Sequence, residues 1–71
     1  MEIEQYTGLK DKNGVEIYEG DIVKEGELIG AVSWDGSYAR FRYEHESGSA
    51  GMYLFYGEVI GNIYENPELL K

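Results

Sequence analysis

Apolar and polar positions alternate most regularly over residues 28–43, LIGAVSWDGSYARFRY. Apolar side chains at every second position mark half-buried strands, and Asp35-Gly36 separates two such runs. Asp-Gly between alternating apolar residues is a strong hairpin signal, because a type I′ turn needs φ > 0 at both central residues. The pattern predicts a hairpin with Asp35-Gly36 as its two-residue loop, placing Trp34 opposite Ser37, Val32 opposite Ala39 and Gly30 opposite Phe41. One face then carries Leu28, Val32, Trp34, Ala39, Phe41 and Tyr43; the other carries Ile29, Ala31, Ser33, Tyr38, Arg40 and Arg42. A slip of one residue would exchange the faces and set the arginines opposite the large apolar groups. Trp34 and Phe41 are expected to point together into a closed β core that hides them from water. Gly30 leaves space for a ring on that face, or marks a bend.

Turn signals divide the rest of the chain. Residues 3–6 can pair as a short leading strand. Residues 9–17 surround Asn13-Gly14, and a three-residue loop with Gly14 left-handed aligns Leu9 with Ile17 and Lys10 with Glu16, the latter an opposite-charge pair. Tyr18-Glu19-Gly20-Asp21 is a second turn leading into Ile22-Val23-Lys24, and Glu25-Gly26-Glu27 is a third. Residues 44–51, EHESGSAG, read as a polar, mobile loop. Residues 52–56 and 59–64 look like two further strands around Gly57-Glu58, but alternation fails at Leu54-Phe55 and Val59-Ile60. Both faces of that region are therefore covered, or part of it meets another subunit. At the end, Asn66 can cap and Pro67 suits a first helical position, so one helical turn, α or 3-10, should dock Leu69 and Leu70 onto the sheet.

Short strands, frequent turns and no helical periodicity describe an all-β chain. With 71 residues it is expected to form one domain over residues 1–71: a small SH3-like β-barrel of about five strands with a short C-terminal helical turn, since closure removes exposed edges. A twisted open sheet is the alternative. A domain this small is marginal alone. It has no cysteine, so neither a disulfide nor a thiolate zinc site can help, and oligomerisation is the remaining common stabiliser. Met1-Glu2-Ile3-Glu4 does not resemble a signal peptide, and no apolar run approaches membrane-span length; the expectation is a soluble intracellular protein with no membrane contact.

The net charge of −8 suits a partner with a basic surface, or a polyanion mimic, although solubility alone also accounts for it. It counts against nucleic acid, where phosphate neutralisation supplies most of the affinity.

Catalytic and metal chemistry find little support. His45 lies between Glu44 and Glu46 and reads as a solvated loop histidine rather than a metal ligand or general base. Asp11-Lys12-Asn13-Gly14 resembles part of a calcium loop, but the bidentate acid that the template requires would fall on Gly20. Glu19 and Asp21 flank a turn and read as exposed acids. There is no cysteine nucleophile, no Ser-His-Asp set is plausible with one loop histidine, and no helix follows a phosphate-binding glycine loop. No catalytic residue, cofactor or metal is expected.

Tyr38, Arg40 and Arg42, on the outward hairpin face, are the candidate interaction residues. Tyr and Arg are enriched at protein interfaces; a solvated face is the plain alternative. The leading expectation is a non-enzymatic interaction module meeting a protein partner, by self-association or by binding another protein. The alternative is a small-barrel nucleic-acid-binding protein using the same three residues.

Two long runs carry a family resemblance. One is Gln5-Tyr6-Thr7-Gly8-Leu9-Lys10-Asp11-Lys12-Asn13-Gly14, followed by Ile17-Tyr18-Glu19-Gly20-Asp21-Ile22-Val23. The other is Glu58-Val59-Ile60-Gly61-Asn62-Ile63-Tyr64-Glu65-Asn66-Pro67-Glu68-Leu69-Leu70. Both resemble the YopX family of phage and prophage proteins, as does Gly30-Ala31-Val32-Ser33-Trp34-Asp35 between them. Members commonly begin with a further β segment before the Tyr-Thr-Gly-Leu motif. Here only Met1 to Glu4 precede it, so the chain resembles the C-terminal barrel half of the family. The resemblance implies an SH3-like barrel, a phage or prophage origin, work in a bacterial cytoplasm and a tendency to self-associate. It supplies no activity and no catalytic residues.

Overall fold

The computed structural model describes residues 4–52 and 55–70. Among them lie seven strands, β1 (Tyr6–Lys10), β2 (Glu16–Tyr18), β3 (Asp21–Glu25), β4 (Leu28–Asp35), β5 (Arg40–His45), β6 (Gly48–Gly51) and β7 (Glu58–Asn62), followed by a 3-10 turn at Pro67–Leu70. The class is all-β, as the alternation predicts. β1 and β2 form one antiparallel hairpin, and the other five strands form a second sheet in the order β6-β5-β4-β3-β7. The described strands do not close into a barrel: β6 and β7 are the edges of the larger sheet. Its apolar face is covered instead by the β1–β2 hairpin, which brings Ile17 and Leu9 onto Val23, Val32, Tyr43 and Met52. The core lies between the two sheets.

The first hairpin follows its sequence. Lys10 stands opposite Glu16, and Gly14 has φ 83°, the left-handed backbone that glycine adopts at no steric cost. The Asp11 N–H donates to the Val15 carbonyl at 2.8 Å, closing the loop.

The central hairpin keeps its predicted faces but not its pairing. Val32 lies opposite Tyr43 rather than Ala39, and Trp34 opposite Phe41 rather than Ser37. The displacement is an even number of residues, so every strand residue keeps its side of the sheet. The loop is residues 36–39 rather than Asp35-Gly36. Asp-Gly-Ser supports an Asx-turn as well as a type I′ turn, and here the Asp35 carboxylate accepts the Ser37 N–H at 3.0 Å. That bond accompanies Asp35 as the last residue of β4, paired with Arg40.

Residues 44–51 are not a loop. β5 runs to His45, and Gly48–Gly51 returns beside it, with Ala50 opposite Tyr43 and Gly51 opposite Arg42. Small residues there leave room for two long side chains. Of the predicted strand at 52–56, residues 52, 55 and 56 are outside any strand, while 53 and 54 fall outside the described residues, as does Ile3 of the leading strand. β7 pairs with β3, and its register shifts between Ile22 and Val23: Ile22 faces Gly61 while Val23 faces Val59. Ile60 is the extra residue of a β-bulge, which is why apolar residues are adjacent there.

On the face away from the core, Gly61, Ile22, Ala31, Glu44 and Ser49 form one row across the five strands. The 3-10 turn covers one end of that row. Its Leu69 rests on Gly61, and Ile22 is fully buried. Pro67 opens this turn as expected; the Asn66 carbonyl accepts the Leu69 N–H at 3.0 Å.

Gly30 is a close-approach position. It faces Val23 and His45, and a Cβ there would fall on the Glu44 carbonyl and come within 3.0 Å of the Tyr43 ring. Gly30→Ala should therefore lower stability by about 1–3 kcal/mol, the range for overpacking, read as a lower urea midpoint. An unchanged midpoint would mean that β4 and β5 separate there without cost.

Candidate interaction surface

The end of the β4–β5 hairpin carries most of the sequence-predicted site. Asp35 is buried and holds the turn from inside: its carboxylate takes the Ser37 N–H and lies 3.9 Å from Arg40 Nε. Ala39 completes the reversal with φ 51°, the sole non-glycine residue at positive φ among those described. Left-handed backbone at alanine costs about 1 kcal/mol, and the paired strands on either side hold it.

This turn projects Tyr38, which is 72% exposed. The Arg40 guanidinium sits over its ring, 5.0 Å from the centroid, a cation–π contact that stiffens both side chains. Arg42 is separate in behaviour. It lies along β5 with Nη1 donating to Ser49 Oγ at 3.4 Å and Nη2 4.0 Å from Glu44. The structure thus joins Tyr38 to Arg40, while Arg42 is engaged by its own sheet. Both arginines have a carboxylate within 4.0 Å, which offsets the charge a phosphate would need. Nothing in the structure favours binding of nucleic acid.

The surface includes a residue that the alternation placed elsewhere. Trp34 shares a face with Phe41, its ring edge-on at 4.9 Å and 68°, yet it is 47% exposed. The expectation of a hidden Trp34 is corrected: the covering hairpin does not extend over this end of β4. Phe41, but not Trp34, lines an apolar crevice of about 180 Å³ together with Thr7, Leu9, Met52 and Arg40. Alternation assigns a side chain to a face but does not say how far the cover reaches, so the sequence carried no local signal for this.

The other candidate residues are structural. His45 ends β5, packs 5.6 Å from the Tyr43 ring and accepts the Ser47 N–H on Nδ1. Asp21 accepts the Tyr18 N–H at 2.8 Å; burial, opposed by this bond and assisted by Glu4, raises its pKa. Asp11 is buried, 6% exposed, and ties the first hairpin to β7. One of its carboxylate oxygens accepts the Asn13 and Val15 N–H groups, and the other accepts the Val59 N–H at 2.9 Å. Among the described residues, no group of His, Cys, Asp and Glu could hold a metal ion, and no helix is long and apolar enough to cross a membrane.

Fold and surface together define a small all-β protein with a five-stranded open sheet, a hairpin laid over its core and an aromatic–arginine cluster at one end. The chain belongs to the YopX family: the family model described as YopX protein matches residues 1–71, its whole length. A comparison with curated proteins found no match.

Proposed function

We propose that this chain is a non-enzymatic interaction module of phage or prophage origin that acts in the bacterial cytoplasm through the end of the β4–β5 hairpin. Its partner is a protein, either a second copy of the chain or a host protein, including a defence protein, whose activity it modulates. The observation that carries this reading is the half-exposed Trp34 packed on Phe41, which lines an apolar crevice together with Arg40, the cation held over the exposed Tyr38 ring. Trp, Tyr and Arg are the residue types in which interface binding energy concentrates, particularly next to a pocket that a partner can fill. Family membership supports the phage origin and the bacterial setting.

The test compares the wild-type chain with Trp34→Ala/Tyr38→Ala. Light scattering over a range of concentrations reads self-association, and dose-dependent capture from bacterial lysate reads a host partner. The expected result is one of these two associations, lost in the double variant. A wild-type chain that stays monomeric and captures nothing across salt conditions would overturn the reading, as would capture that the double variant retains in full.

A further inference from the structure

On the face of the sheet away from the core, back along β4 from the hairpin end, lies a groove of about 530 Å³. Its floor is Ile29 and Ala31 of β4, and Leu69 of the 3-10 turn forms one wall. The rim is Glu27, Glu44 and Glu46. Glu44 stands directly across the strands from Ala31, so apolar floor and acidic rim are one residue pair apart. The turn that covers Ile22 stops short of Ala31 and leaves the row open from there.

The three rim carboxylates outnumber the two cations beside them, Arg42 at Glu44 and Lys24 across the strands from Ile29. Among the described residues neither Glu27 nor Glu46 has an ion pair, and Glu44 has only Arg42 at 4.0 Å. The whole chain carries −8, so the long-range field also draws cations. An apolar floor under an acidic rim is the complement of one kind of side chain, an aliphatic stem ending in a cation. Lysine and arginine lay their methylene stems on apolar surface while the charged head stays at a polar edge.

The geometry points to this groove as a docking site for a protein segment rich in arginine or lysine with interspersed aliphatic residues. The basic heads meet Glu27, Glu44 and Glu46; the stems and the aliphatic side chains cover Ile29 and Ala31. The site is separate from the hairpin end and does not depend on it.

The probe is a fluorescently labelled eight-residue peptide alternating arginine and leucine, followed by anisotropy with the full chain at low and at physiological salt. Glu27→Gln/Glu46→Gln removes two exposed rim charges, and Glu4→Gln/Glu65→Gln removes two exposed charges away from the groove. The rim variant should bind about three- to tenfold more weakly, as two exposed charge contacts imply. The control variant and Tyr38→Ala should bind like wild type. A peptide alternating arginine and glycine should bind more weakly than the leucine peptide. Equal weakening by the two double variants would show attraction to net charge alone and overturn the site, and equal binding of the two peptides would overturn the role of the floor. Loss of binding with Tyr38→Ala would move the site to the hairpin end, whereas failure of the groove leaves the hairpin reading untouched.

Discussion

Tyr43→Ala should remove about 3–5 kcal/mol of folding stability, the range for truncating a buried aromatic side chain. A chain of 71 residues is held by roughly 4–10 kcal/mol in total, so the variant should be largely unfolded at mild urea concentrations by circular dichroism. Tyr43 is fully buried, with its ring edge-on to Phe55 at 5.6 Å. Its hydroxyl donates to Glu25 Oε1 at 2.7 Å, and Glu25 Oε2 accepts the Tyr56 N–H at 2.8 Å. The ring therefore anchors the core, and its hydroxyl holds the carboxylate that fixes the segment before β7. Tyr43→Phe separates the two roles and should cost only about 1–2 kcal/mol. Burial first, then the Glu25 hydrogen bond and charge, push the Tyr43 pKa up to about 12 from 10.0. A raised folded-state pKa gives stability that is complete below pH 10 and lost as pH rises through about 12. Tyr43→Phe should flatten the loss of stability across that alkaline window, measured by urea midpoints against pH. A midpoint for Tyr43→Ala equal to wild type would show that the core does not rest on this ring.

Asp11→Ala should be nearly as damaging. It would leave three N–H groups, those of Asn13, Val15 and Val59, without their acceptor. Hydrogen bonds to a charged group contribute about 1.5–3 kcal/mol each, less where water can replace the partner, and a total loss of about 3–5 kcal/mol is expected. Asp11→Asn is the finer instrument. Its oxygen can still serve Asn13 and Val15, but its amide would meet the Val59 N–H donor to donor, so it should detach β7 selectively. Faster hydrogen exchange at Val59 than at Val15 would show this. Burial raises the Asp11 pKa, but the N–H donations from Val59, Val15 and Asn13, with Lys12 nearby, outweigh it and leave the value below 3.8. A lowered folded-state pKa gives stability present above pH 3.8 and lost as pH falls through the folded value. The stability gap between wild type and Asp11→Asn should therefore be constant from neutral pH to about pH 4 and shrink below it. A gap that stays constant down to pH 2 would exclude this role for the carboxylate.

Local patterns in the chain account for much of this architecture. Period-two alternation placed Val32, Phe41 and Tyr43 on one face, and the charge and turn chemistry around Asn13-Gly14 set Lys10 opposite Glu16. Pro67 marked the start of the terminal turn. What escaped was set by contacts distant in sequence or by signals with two meanings. Asp35-Gly36-Ser37 suits either of two turns, and only the Arg40 pairing separates them. Trp34 depends on how far a hairpin formed by residues 6–18 reaches across the sheet. Glu44 and Glu46 read as loop acids until β6 is seen to pair beside β5, and they become a rim only because Leu69 builds the facing wall. Of the three residues proposed from sequence, Tyr38 and Arg40 meet as a unit; Arg42 was grouped with them by strand parity, which says nothing of the serine and glutamate that occupy it.

The two ladders open to β4 and β5 put the same side chains on the same faces, so strand parity does not choose between them. The ladder that forms is the one in which the Asp35 carboxylate takes the Ser37 N–H and Asp35 pairs with Arg40. In the other ladder Tyr38 would be drawn into the sheet opposite Ser33, and Tyr43 would slide to the far end beside Leu28. The turn that this carboxylate holds thus goes together with an exposed Tyr38 and a buried Tyr43, so a change of strand alignment would exchange the rings at the surface.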